Sequence, residues 1–219
     1  MIFSILFLMY HRKTNCIISY TTVFVNIQYL FKYKIIYNYV NTSEHVLNEF
    51  YKDPQQTIHI RELARRTNKH PNTIISVTDE LQEQEILVKQ RDEDSNRVLI
   101  SANKKRPYFA QKCTAYYLEQ LYRCGLITYL QEQYFHPTIL LFGSIAKAQH
   151  TETSDIDLFV LSDVDKHVDL SKYEQVLSRE IQLVIQTHAT YQEFTKSNPE
   201  LANNVLNGLL LEGYMQVYE

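Results

Sequence analysis

The sequence predicts a two-module chain of mixed α+β/α/β class, with three helices and a β-hairpin in front and a small mixed sheet flanked by helices behind. Three observations carry this. Between residues 42 and 102, apolar positions recur at helical spacing and then alternate about a polar turn. From residue 138 the pattern changes to short, solidly apolar runs separated by helix-favouring segments. Between the first two of those runs the chain reads Gly143-Ser144, ten intervening residues, and then Asp155-x-Asp157 inside the second run.

At 219 residues the chain can hold one large or two small domains with a sizeable core. The net charge of −3 is unevenly spread: residues 58–106 carry ten Lys/Arg against eight Asp/Glu, and residues 107–219 carry seven against fourteen. A mildly basic front and an acidic back suggest modules with different partners. Cys16, Cys113 and Cys124 are odd in number and form no CxxC. That argues against a disulfide framework or a zinc site, and makes a reducing cytoplasm the expected location.

Residues 1–41 are read as an N-terminal extension. "MIFSILFLMY" is too short to span a bilayer and has neither a basic leader nor a small-residue cleavage site, so no membrane partner is expected. The stretch reads as a start-site artefact, upstream DNA translated in frame. Against this, no methionine stands between Met9 and Met215. The alternative is a real extra helix or membrane-surface anchor.

The front module spans 42–102. "TSEHVLNEFYKD" opens with a Thr/Ser cap, places Val46, Leu47 and Phe50 on one face, and is closed by Pro54. Ile60, Leu63 and Ala64 form the apolar face of a second helix. "TNKHPNT" then turns the chain into a third helix that starts near Pro71, a natural first-turn residue, with Ile74, Val77 and Leu81 as its buried stripe. "ILVKQRDEDSNRVLIS" reads as a hairpin around an Asp/Ser/Asn turn. Three helices followed by a hairpin resemble a winged helix-turn-helix, over about sixty residues, with "xELA" opening the second helix and "xLxxxGI" closing the third. Glu85 stands where that family usually has glycine. The resemblance implies DNA binding, with Lys69, Asn72, Thr73 and Ser76 (and His70) on the recognition helix, Arg65 and Arg66 close by, and Lys89, Arg91 and Arg97 on the wing. Such modules also bind proteins, and Asp79, Glu80, Glu83 and the wing-tip Asp92, Glu93 and Asp94 carry the wrong sign for phosphate.

Residues 103–135 are read as a connecting helix with Phe109, Cys113, Tyr117, Leu121 and Cys124 at helical spacing, ended or broken at Gly125. This aromatic stripe is read as core, with dimerisation as a further option.

The back module spans 136–219. "TILLFG", bounded by Pro137 and Gly143, reads as a buried strand, and Gly143-Ser144 as the turn into a helix whose first N–H groups can hold phosphate oxygens. "IDLFVLSD" is a second strand. Residues i and i+2 share a face, so Asp155 and Asp157 project together while Ile156, Leu158 and Val160 fill the core. Two carboxylates beside a phosphate cradle suit Mg²⁺ (or Mn²⁺) and a nucleotide. "GSIAKAQHTETSDIDLFV" resembles the signature of the DNA polymerase beta-like nucleotidyltransferases, specifically the minimal prokaryotic members. The resemblance implies that Gly143 and Ser144 bind the triphosphate of an NTP, ATP foremost, and that Asp155 and Asp157 are catalytic metal ligands; Lys147 is a further candidate nucleotide-binding residue. Lys147-Ala148 replaces the usual Arg-Gly. The third carboxylate is expected on "EIQLVIQT", where Gln182 stands, with Glu180 at the same strand parity.

Two functions follow. One is a nucleotidyltransferase that binds or transfers NMP from Mg-NTP to a protein or nucleic-acid acceptor, fused to a DNA-binding winged helix. The other is a DNA-binding transcriptional regulator, a homodimer by default, whose nucleotidyltransferase domain senses nucleotide without turnover. A plain interaction scaffold is the third option.

Overall fold

A computed structural model describes residues 42–93, 97–164 and 166–215. The N-terminal extension with Cys16, and Asp94 at the wing tip, lie outside the described residues.

In the front module, α1 (Thr42–Lys52) buries Val46, Leu47, Phe50 and Tyr51. A short strand β1 (Thr57–His59) leads directly into α2 (Ile60–Thr67). α3 (Pro71–Glu83) begins with proline in its first turn, and the side chain of His70 caps it by accepting from the Asn72 N–H. Its buried stripe is Ile74, Thr78 and Leu81, while Val77 is half-buried. Thr78 is tolerated inside because its hydroxyl donates to the Ile74 carbonyl at 2.7 Å. The hairpin forms as expected from β2 (Leu87–Arg91) and β3 (Val98–Ala102), and β1 adds a third strand on the other side of β3. This is the winged helix-turn-helix topology. Glu85 adopts φ +57°, the left-handed conformation that glycine would enter without strain.

The connection consists of two helices, α4 (Pro107–Arg123) and α5 (Leu126–Tyr134), broken at Gly125. Phe109, Cys113, Tyr117 and Leu121 are buried as the stripe predicts, and Leu118 joins them. Burial pushes the Cys113 thiol up to about 12, so it is an inert core thiol.

The back module is built on a four-stranded sheet ordered β6-β5-β4-β7, from β4 (Thr138–Phe142), β5 (Ile156–Leu161), β6 (Ile181–Gln186) and β7 (Leu209–Glu212). β5 runs antiparallel to β4 and parallel to β6. The short α6 (Gly143–Ala146) follows β4, and α7 (Ser171–Leu177) makes the crossover from β5 to β6. α8 (His188–Ser197) and α9 (Pro199–Leu206) pack Phe194, Ala202 and Val205 against Leu140, Phe142, Phe159 and Leu161.

β5 is buried on both faces. Ile156, Leu158 and Val160 fill one side, and Phe159 and Leu161 fill the other, directly beyond Asp157. The carboxylate face is therefore core for most of its length and becomes polar only at the strand's opening.

Candidate nucleotide and metal site

The site forms where β4 ends and β5 and β6 begin. Phe142 pairs with Asp157 across the antiparallel ladder, which places Gly143, the next residue, beside the Asp157 side chain. Gly143 has φ +72°, and a Cβ there would overlap the Asp157 carboxylate, whose Cγ would lie 2.7 Å away. Glycine is thus required twice, by conformation and by contact. The backbone N–H of Ser144, the second residue of α6, faces the same carboxylate.

Asp155 is held at the end of a tight turn, in which the Thr151 N–H donates to Ser154 Oγ at 2.9 Å and the Ser154 N–H to the Thr151 carbonyl at 3.2 Å. Both aspartates are half-buried. Partial burial, and secondarily the neighbouring Asp155, raise the Asp157 carboxyl above an ordinary aspartate's 3.8, and the Ser144 N–H only partly offsets this. Among the described residues neither carboxylate makes an ion pair. A pair of like charges on one sheet face, without a counter-charge and with a raised pKa, is a donor set that a divalent cation would relieve, so Mg²⁺ or Mn²⁺ fits here.

Gln182 is the cross-strand partner of Asp157, and its side-chain amide donates to Asp155 Oδ2 at 3.3 Å. The pattern-based alignment therefore puts Gln182 beside the two aspartates. Among the described residues no third acidic, histidine or cysteine side chain completes a metal cluster. Glu180 sits one residue before β6, and its carbonyl accepts the Ile156 N–H at 2.9 Å. Lys147 is exposed, and its Nζ donates to Asn204 Oδ1 on α9 at 2.9 Å.

Of the residues assigned to DNA, Lys69, Asn72, Thr73, Ser76, Arg91 and Arg97 are exposed. Lys89 is half-buried against α3, held by Asp79 Oδ1 at 2.5 Å and the Ile75 carbonyl at 3.3 Å. Its charge is spent within the module. Arg65 and Arg66 are likewise paired with Glu62.

Sequence reasoning passed over two residues that border the site, Arg179 and His150. Arg179 donates to the carbonyl of Ser154, immediately before Asp155, and at 2.7 Å to the carbonyl of Lys52 in α1. The ring of His150 is fully buried, and its Nε2 lies 2.8 Å from the Tyr51 carbonyl. Neither residue falls in a periodic or motif position, so no local signal marks them.

No helix among the described residues is long and apolar enough to cross a membrane. No curated protein matches the chain. Among solved structures, it is similar to MepR, a transcription regulator of the Staphylococcus aureus multidrug efflux pump MepA, at 18% identity and TM-score 0.35, over 52% of this chain and 87% of that one. It is similar to the adhesin competence repressor AdcR of Streptococcus pyogenes at 18% identity and TM-score 0.33, over 51% and 80%. The zinc-responsive MarR family member ZitR of Lactococcus lactis shares 21% identity at TM-score 0.31, over 45% and 63%. The back module, with β4, Gly143-Ser144, Asp155, Asp157 and Gln182 all inside the match, fits the family model described as Polymerase beta, Nucleotidyltransferase over residues 125–212.

Proposed function

We propose that the protein binds an NTP with Mg²⁺ or Mn²⁺ at the mouth of β4, β5 and β6, and that its winged helix binds DNA. The observation that supports this best is the Gly143–Asp157 contact beside an unpaired Asp155/Asp157 couple. In this reading the Gly143-Ser144 turn cradles phosphate oxygens with backbone N–H groups. Asp155 and Asp157 hold the ion, which when bound neutralises phosphate charge and polarises the α-phosphorus. ATP is the first nucleotide to try, and a protein hydroxyl or a nucleic acid is the acceptor class. A cytoplasmic protein is the setting that fits both ligands.

Gln182 favours a second reading, a nucleotide-sensing DNA-binding regulator that binds without transferring. A neutral amide is a poor Mg²⁺ ligand and cannot accept a proton from an acceptor hydroxyl. The absence of a general base typically costs about 10²–10⁴-fold in rate.

The deciding experiment incubates the full chain with labelled ATP, GTP, CTP and UTP plus Mg²⁺ or Mn²⁺, beside an Asp155→Ala/Asp157→Ala variant. Label transferred by wild type alone establishes the transferase. Metal-dependent binding without transfer, lost in the variant, establishes the sensor. Absence of both binding and transfer refutes the nucleotide site.

A further inference from the structure

The described residues lie in one compact unit, Val40–Glu219, and within it the end of α1 touches the two segments that frame Asp155. Tyr51 and Lys52 are the last residues of α1, where backbone carbonyls have no intrahelical donor. The back module and α4 supply the donors: His150 Nε2 and Cys113 Sγ (3.6 Å) to Tyr51, and Arg179 Nη2 to Lys52. A guanidinium is well placed there, because the C-terminal end of a helix carries partial negative charge.

Arg179 has a second task. Its Nη1 donates to the Ser154 carbonyl, and its charge centre lies 5.4 Å from the centre of the Tyr117 ring of α4. The next residue, Glu180, accepts from the Ile156 N–H. Asp155 is therefore bracketed on both sides by backbone attachments to residues 179 and 180, and touched by Gln182. A guanidinium is planar, so its two donors move together. Displacing Lys52 then displaces the anchor of Ser154.

We infer that Arg179 is a positioning residue for Asp155, fixed by the winged-helix module, so that occupancy of the Asp155/Asp157 site and the docking of α1 are energetically linked. The inference rests on the nucleotide reading above for its ligand and on these contacts for its mechanism. Linkage is reciprocal: whatever stiffens the 151–156 turn tightens α1, and whatever loosens α1 weakens the site.

Hydrogen exchange of the full chain tests this, free and with Mn²⁺ plus ATP, in wild type, Arg179→Gln and Arg179→Lys. In the free protein, Arg179→Gln should speed exchange in 49–56 and in 151–156 together, by about tenfold, within the usual range of coupling between sites. The β2–β3 hairpin should be unaffected. Loosening of one segment only, or of neither, overturns the inference. Arg179→Lys should loosen both segments as well, because a single ammonium cannot span two carbonyls in fixed geometry. If the glutamine variant does not fold, the lysine variant decides by the same criterion. In wild type, Mn²⁺ plus ATP should slow exchange in both segments, and protection confined to 151–156 would also overturn the linkage. If wild type shows no response to Mn²⁺ plus ATP, the nucleotide reading has failed, and the free-protein comparison still decides the role of Arg179.

Discussion

Gln182 donates its side-chain amide to Asp155 Oδ2 across 3.3 Å from the β6 position directly paired with Asp157. A carboxylate there would meet two others. Gln182→Asp should therefore lower the stability of the metal-free protein, since a third like charge joins a site where Asp157 is already raised by burial and by Asp155. Mg²⁺ should reverse this, with a larger gain in Tm than wild type shows; a ligand at 100 times its Kd contributes about 2.7 kcal/mol. If wild type transfers NMP at all, the variant should be faster by about 10²–10⁴-fold. Equal Mg²⁺ gains in both proteins would show that Gln182 does not occupy a ligand position.

The aspartate pair and its glycine were legible in the sequence because their geometry is local: strand alternation aligns Asp155 with Asp157, and a fixed short span returns the chain to Gly143. Gln182 was legible because one apolar run sets its parity. Other features depend on the tertiary fold. Three-residue β1 exists because β3 is beside it, with Ile58 paired to Ile100. The second buried face of β5 exists because α8 and α9 lie over Phe159 and Leu161. Arg179 and His150 act on carbonyls at the far end of α1, 127 and 99 residues away in the chain, and no sequence period spans such distances.

Gly143→Ala should abolish metal-dependent nucleotide binding while leaving the fold in place. The added Cβ would overlap the Asp157 carboxylate, and φ +72° is strained for alanine. The left-handed conformation alone costs about 1–2 kcal/mol. Isothermal titration with Mn²⁺ plus ATP checks the binding, and urea unfolding checks the stability. Wild-type affinity in this variant would mean that the turn is not part of the site.

Two of the six non-glycine residues with positive φ among the described residues should respond in the opposite direction. Ala148 (φ +52°) and Glu85 (φ +57°) stand where the resembled families place glycine. Relief of strain at either position should outweigh the added freedom of the unfolded chain, for a net gain of about 0.5–1 kcal/mol for Ala148→Gly. Glu85→Gly also loses the exposed ion pair with Arg106, so its gain should be smaller. Chemical denaturation measures both. A loss of stability in Ala148→Gly would show that the buried methyl group matters more than the strain.

Metal binding should weaken on acidification, with a midpoint above an ordinary aspartate's 3.8. Asp157 is raised chiefly by burial, so in the metal-free protein its proton persists to higher pH and must leave before a cation can bind. The same shift means that ionising Asp157 costs the free protein stability as pH rises through the raised value, and that a bound cation cancels this cost. Mn²⁺ affinity as a function of pH, in wild type and Asp157→Asn, checks this, and a shared profile would assign the titration to another group.

His150 should give the contact between α1 and the back module a pH dependence of its own. Burial lowers its pKa from 6.5, and the nearby Arg179 charge lowers it further, against the Tyr51 carbonyl and Asp53, which favour the proton. Tyr117 packs edge-on against the ring, with the ring centres 4.8 Å apart. For a base with a depressed native pKa, the unfolded chain takes up the proton first. The stabilisation is therefore complete above 6.5 and is lost as pH falls from 6.5 through the native value. His150→Gln keeps an N–H donor for the Tyr51 carbonyl but cannot titrate. Urea unfolding above and below pH 6.5 should show a decline in wild type that the variant lacks, and parallel declines would place the acid sensitivity elsewhere.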